Sequence, residues 1–217
     1  MPIWFYDDDP SENAFDASEL SFLDGLREHA ATWAQDGVST YAIRNEESGA
    51  LTACMELMDA TGTLLDVRAH VADQRVRSDR SYGTDSEPTT LVMRAEGSTA
   101  ELVSITATWF EALLHRPIER LEWWHNNLLY AMRCQFTDTQ EGLREVYDRK
   151  LAPPGQYERL IDSASFRGRS WIRTIAIGDP DRTYAVRSSG NAHTSLLRPG
   201  YPWYVCPLET PETPPSI

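Results

Sequence analysis

The stretch STAELVSITATWFEALLHRPIERLEWW, residues 98–124, decides the fold, because it holds a whole helix and then, without a pause, a whole strand. Ser98 is followed three positions later by Glu101. That is capping-box spacing: the hydroxyl takes an orphan helix N–H and the carboxylate reaches back to the cap. Leu102, Ile105, Trp109 and Leu113, with Thr106, Phe110 and Leu114 alongside, recur at helical spacing and predict an apolar face wide enough to cover a sheet. Pro117 ends the helix, since the residue before a proline is pushed out of the α region. From Ile118 to Trp124 the alternation of bulky and charged residues predicts a strand with two mixed faces.

Working outward toward the N-terminus, residues 3–6, IWFY, read as a short buried strand running into an acidic turn. Asp16 and Glu19 repeat the capping box, with Phe15 and Leu20 placed as a hydrophobic staple. Leu20, Leu23, Leu26, Ala30 and Trp33 keep one helical face apolar, and Asp36–Gly37 is the expected stop. The period then changes to two. Val38–Arg44, Leu51–Met58 and Leu64–Val71 are three expected strands, joined by EESG and DATG turns. Residues 73–88 are polar and punctuated by Gly and Pro, which predicts a long loop. Thr89–Arg94 resumes as a strand.

Toward the C-terminus, Ile118–Trp124, Leu128–Phe136 and Leu143–Tyr147 are three more expected strands. The order strand, helix, three strands therefore occurs twice, and a tandem pair of βαβββ units is a natural reading. The expected fold class is α+β: antiparallel β-sheets with two packed helices, at 16–36 and 98–115. The chain divides into an acidic βαβββ unit (1–97), a helix with a β-meander (98–150), and a remainder (151–217) opened by LAPPG. In that remainder Ser170–Ile177 and Thr183–Arg187 are expected as a hairpin. Residues 199–208 are expected to lie extended across the body, and 209–217 to fray.

Length and composition allow a proper core: 217 residues, 41% hydrophobic, seven tryptophans. No run of about 18 apolar residues exists and the acidic start is unlike a signal peptide, so the expected location is the cytoplasm. Cys54, Cys134 and Cys206 lie far apart with no CxxC pair, and are expected as reduced packing residues. Residues 1–116 hold 21 acids against 8 arginines, whereas 117–217 hold 12 of each sign. All of the net charge of −13 thus sits in the first half. Such a balance disfavours nucleic acid, whose phosphates need cations, and suits solubility or a basic protein partner.

Chemistry-bearing clusters are sparse. Glu122, His125 and Cys134 bring an acid, a base and a thiol to one expected hairpin and are the catalytic candidates. His70 and Glu56, on neighbouring expected strands, are a second pair. Arg167, Arg169 and Arg173 surround Trp171; their commoner role is to pair with the chain's own carboxylates. No phosphate-loop, dinucleotide or metalloprotease motif occurs, so no cofactor and no metal is expected.

Two resemblances meet at these residues. The FYDDDP start, the SELSFL helix opening, the DATG meander turn and the WFEALLHRPIERLEW close resemble the small actinobacterial immunity proteins of polymorphic toxin systems. That resemblance covers residues 1–124 and implies a non-enzymatic protein that neutralises a toxin by covering its active site. The tandem βαβββ order is also similar in topology to the vicinal-oxygen-chelate enzymes. Their metal-ligand positions on the first strand of each unit lack a His or Gln here.

The expected function is accordingly an immunity- or antitoxin-like protein binding a basic partner. Its expected contacts are Asp7, Asp8, Asp9, Glu46, Glu47, Asp59 and Asp66, near strand ends and turns. The alternative is an enzyme or small-molecule binder, of secondary metabolism or resistance, with a pocket lined by Trp109, Trp123, Trp124 and Tyr130.

Overall fold

The computed structural model describes residues 4–7, 14–33, 37–45, 48–59, 62–82, 91–163, 166–167, 171–172 and 174–187. The described elements form an α+β fold. Helix α1 is Ala17–Ala30, α2 is Thr99–Leu114 and the short α3 is Gln156–Asp162. The first sheet takes its strands in chain order: β1 (Tyr6–Asp7), β2 (Val38–Arg44), β3 (Leu51–Asp59), β4 (Gly62–Ala72), β5 (Arg75–Tyr82) and β6 (Arg94–Glu96). Only β1 and β2 run parallel in it. The second sheet contains β7 (Ile118–His125), β8 (Leu128–Phe136) and β9 (Gly142–Tyr147), while β10 (Phe166–Arg167) and β11 (Trp171–Ile172) pair with each other. Strand β12 (Arg182–Arg187) returns to the second sheet and pairs antiparallel with β7.

Alternation in the first sheet sorts its side chains into two faces. Ala42, Leu51, Ala53, Met55, Leu57, Leu65, Val67, Ala69 and Val76 join the main core with Phe22, Leu23 and Leu26 of α1 and Val103, Ala107 and Phe110 of α2. Both helices begin at the expected capping boxes. Asp16 accepts from Ser18 and Glu19 N–H, which holds its carboxyl below the usual range, and Ser98 accepts from Glu101 N–H. The helices meet at Gly25, where a Cβ would lie 2.8 Å from a methyl of Val103. Any side chain there would push them apart.

Several elements differ from the sequence reading. Segment 73–88 contains a strand, β5, reached through a two-residue turn in which Asp73 (φ 49°) and Gln74 (φ 59°) are both left-handed. That is type I′ geometry. The strand was hidden because Val76 is buried between exposed Arg75 and Arg77, leaving no apolar run to read. Helix α1 stops at Ala30 instead of Asp36: Trp33 turns inward, its N–H donating to Ala30 O, and its ring meets Trp4, Phe5 and Phe110 edge-on. Gly37 (φ 73°) serves strand entry, since a Cβ would lie 2.7 Å from Met58 O.

Trp4 and Phe5 are buried as expected of IWFY, but in a turn, and the strand starts only at Tyr6. The buried face of α2 is centred on Val103, Thr106, Ala107 and Phe110; Ile105 is exposed and Trp109 half-buried, because the helix packs on α1 as well as on the sheet. Leu20 is likewise exposed, its expected place in the α1 stripe taken by Phe22.

The order of elements repeats only in part, since four strands (β2–β5) follow α1 where three (β7–β9) follow α2, and the two halves pair differently. In the first, β1 lies beside β2; in the second, β6 stays with β5 and the place beside β7 belongs to β12. The hairpin expected within 170–187 does not form: β11 pairs with β10, and Thr174–Ile177 is a 3-10 turn. Arg169, Arg173 and residues 199–217 lie outside the described residues. The second sheet is also two-faced. Ile118, Met132, Cys134 and Phe136 complete the main core, while Trp123, Tyr130 and Ala131 build a second cluster with Leu121, Tyr147, Leu151, Ala152 and Ile177.

Candidate functional site

The face of the first sheet turned away from the helices is polar. Tyr41, Cys54 and Arg68 share one cross-strand row, Glu56 and Asp66 a second, Thr52, His70, Arg77 and Arg94 a third. Much of it is nevertheless buried: Thr52 is 1% exposed, Cys54 0%, Asp66 2% and His70 6%. Groups so placed need partners. His70 has two, with Thr52 Oγ1 2.8 Å from Nδ1 and Asp79 Oδ2 2.8 Å from Nε2. With the proton on Nε2, that N–H donates to the carboxylate and Nδ1 accepts from the hydroxyl.

Hydroxyl, imidazole and carboxylate follow the order of a nucleophile relay. Here the hydroxyl is enclosed in the middle of β3, so the chain of bonds fixes the imidazole instead of presenting a nucleophile. Around it, Tyr41 Oη donates to Glu56 Oε1 (3.1 Å), and Arg68 pairs with Asp66 at 3.4 Å. Burial pushes the Cys54 thiol up to about 12, and burial together with neighbouring Cys54, Asp66 and Glu56 also raises Tyr41.

At its β5–β6 edge this face opens into a groove of about 710 Å³, lined by the cations Arg75, Arg77 and Arg94, the carboxylates Asp73 and Glu96, and His70, with Ser48 and Ala50 from the turn before β3. Arg75 is paired with Glu96 at 2.9 Å. Arg77 and Arg94 are in register on adjacent strands, both exposed. Sequence reasoning reached only His70 among these residues and paired it with Glu56, which lies two rows away. Arg75 and Arg77 stay hidden because nothing in 73–88 forms an apolar run, although the alternating RVRSD pattern after a DQ turn is a signal for a strand; Arg94 sits on an expected strand, but without β5 it has no neighbour to make a site with.

The residues expected to react do not converge on a reactive centre. Cys134 is fully buried and its thiol is pushed up to about 12, chiefly by burial, so at neutral pH it is a protonated packing group. Glu122 is held by Arg120 at 2.6 Å and accepts from Trp124 Nε1 at 2.9 Å. His125, at the other end of the hairpin, lies 3.1 Å from the Asn126 amide.

The tryptophans do not line one pocket. Trp109 packs on the main core beside Phe110, whereas Trp123 and Tyr130 belong to the second cluster. Trp124 lies beneath the Arg182 guanidinium at 4.4 Å. The reason is period two: neighbours on a strand face opposite ways, so Trp123 and Trp124 could not share a cavity.

Among the expected partner contacts, Asp66 is corrected outright: it is buried beside Arg68 and cannot reach a partner. Asp7 and Asp59 are half-buried, and Asp8, Asp9, Glu46 and Glu47 lie outside the described residues. Exposed carboxylates do occur on the helical layer, at Asp24 and Glu28 of α1 and at Glu101 and Glu111 of α2, with Leu20 and Ile105 exposed among them. Among the described residues no helix is long and apolar enough to cross a membrane. Comparison with protein-family models, with curated proteins and with solved structures finds no match.

Proposed function

We propose that this chain is an interaction protein of the immunity or antitoxin kind, which binds a basic protein partner by charge and shape. The observation that carries the reading is the solvent side of the helical layer. Asp24, Glu28, Glu101 and Glu111 are exposed on the same two helices as the aliphatic side chains of Leu20 and Ile105, and the opposite sides of those helices are locked into the core; Asp24 is paired with Arg27 and Glu101 with the Ser98 cap, which leaves Glu28 and Glu111 to meet a partner. Exposed apolar and charged side chains carried together on rigid elements suit a protein-binding surface. The charge asymmetry of the sequence supports the sign of the partner. Opposite potentials speed encounter and reject wrong partners more than they add affinity.

The test is recovery of partners from native lysate at low and at high salt, using the tagged protein and its E28K/E111K variant. Neither the Glu28 nor the Glu111 side chain takes part in a cap or an ion pair among the described residues, and the Glu111 carbonyl that accepts from His115 N–H is kept in the variant, so the fold should be unaffected. A stoichiometric basic protein, lost at high salt and recovered roughly tenfold less by the variant, is the expected result. Equal recovery by both proteins at both salt concentrations overturns the reading.

A further inference from the structure

The groove at the β5–β6 edge carries a conflict that a ligand would resolve. Arg77 and Arg94 stand directly opposite each other on antiparallel neighbours. Cβ atoms of such a pair are roughly 5 Å apart, and like charges so placed repel. The nearest cation on the same strand, Arg75, already has its carboxylate in Glu96. Neither the Arg77 nor the Arg94 side chain has a hydrogen bond or ion pair among the described residues. Beside them in the same row stands His70, immobilised between Thr52 and Asp79. The groove's volume, about 710 Å³, lies within the range of roughly 300–1,000 Å³ usual for small-molecule sites.

We propose that this groove binds the phosphate group of a small phosphorylated molecule, with Arg77 and Arg94 clamping the oxyanion and the fixed His70 ring forming the floor. Two opposed guanidinium groups neutralise a dianion, which a phosphate monoester approaches at neutral pH. A carboxylate, with one charge and two oxygens, satisfies one guanidinium fork and leaves the other facing it. The site lies on the opposite side of the sheet from the acidic helical layer. It stands or falls independently of the interaction reading.

Isothermal titration of the full-length protein with inorganic phosphate and with phenyl phosphate, in chloride at matched ionic strength, tests it directly. Acetate is the control anion, and R77Q and R94Q are the variants. Saturable binding of both phosphates, none of acetate, and at least about tenfold weaker binding by either variant are expected, since each removes a charge-assisted pair of hydrogen bonds. A thermal melt gives a second readout. Without phosphate R77Q should melt no lower than the parent, because repulsion has been relieved, and phosphate should raise its melting point less than the parent's. Absence of saturable phosphate binding, or binding unchanged in both variants, overturns the proposal. So does acetate binding as tight as phosphate.

Discussion

Among the described residues Arg133 is the largest side chain fully enclosed, at 1% exposure, and it is charged. Its Nε donates to Gln135 Oε1 (2.8 Å), one terminal nitrogen donates to Gln140 O (2.9 Å), and the other meets Glu145. Gln135 in turn donates to Glu119. Gly142 is what lets the guanidinium lie so close to the backbone, since a Cβ there would come within 2.9 Å of it. Burying the pair is costly and breaking it costs more. Arg133→Leu is therefore expected to lower stability by about 3–5 kcal/mol in urea unfolding, because Glu145 is left buried without its cation. The R133L/E145L double variant should recover most of that loss. Little of this was legible in AMRCQF, which reads simply as strand: Gln135 is in that stretch, but the other partners of Arg133 come from β9 and from the turn before it, and burial of an arginine is decided by what packs over it.

Elements were legible where local chemistry alone makes them. Both long helices start at boxes whose two halves are three residues apart in the sequence, and six strands were placed by period-two alternation. What failed needed distant information. The end of α1 is set by Trp33 meeting Phe5 and Phe110, and the exposed side of α2 by a second helix. Strand β5 failed for a subtler reason. Its turn places Asp73 and Gln74 in the left-handed region; aspartate suits the first position of a type I′ turn, but glutamine stands where glycine is preferred. Gln74→Gly should accordingly raise stability by about 1 kcal/mol, read as a higher urea midpoint at unchanged slope. A lower midpoint would show that the turn is held by contacts of the glutamine side chain. The groove inherits this history: three of its arginines belong to the β5–β6 hairpin, so missing the strand hid the site.

At the scale of the whole molecule, the charge imbalance was readable from the first line and its placement was not. Several carboxylates of the first half are consumed internally: Asp66 by Arg68, Glu19 by Arg44, Asp79 by His70. The division of the chain looks different in three dimensions too, because β12 is an edge strand of the sheet begun by β7. A chain ending at Ser163 lacks β12, and with it the Asp181 carboxylate on Trp124 N–H and the Arg182 guanidinium over the Trp124 ring. Such a chain should expose β7 as an open edge and self-associate. Light scattering behind a sizing column checks this, and a monomer with unchanged tryptophan fluorescence would contradict it.

The same strand has a consequence for synthesis. Trp124 and Asp181, which clasp β7 to the turn before β12, are 57 residues apart in the chain. At roughly 5–20 residues per second, β7 leaves the ribosome about 3–11 s before its neighbour exists. For that interval the nascent chain carries β7 paired to β8 on one side only, with two adjacent tryptophans on the strand whose other edge is open. Its passage through translation, more than its final fold, is the stage at which a chaperone would have something to hold.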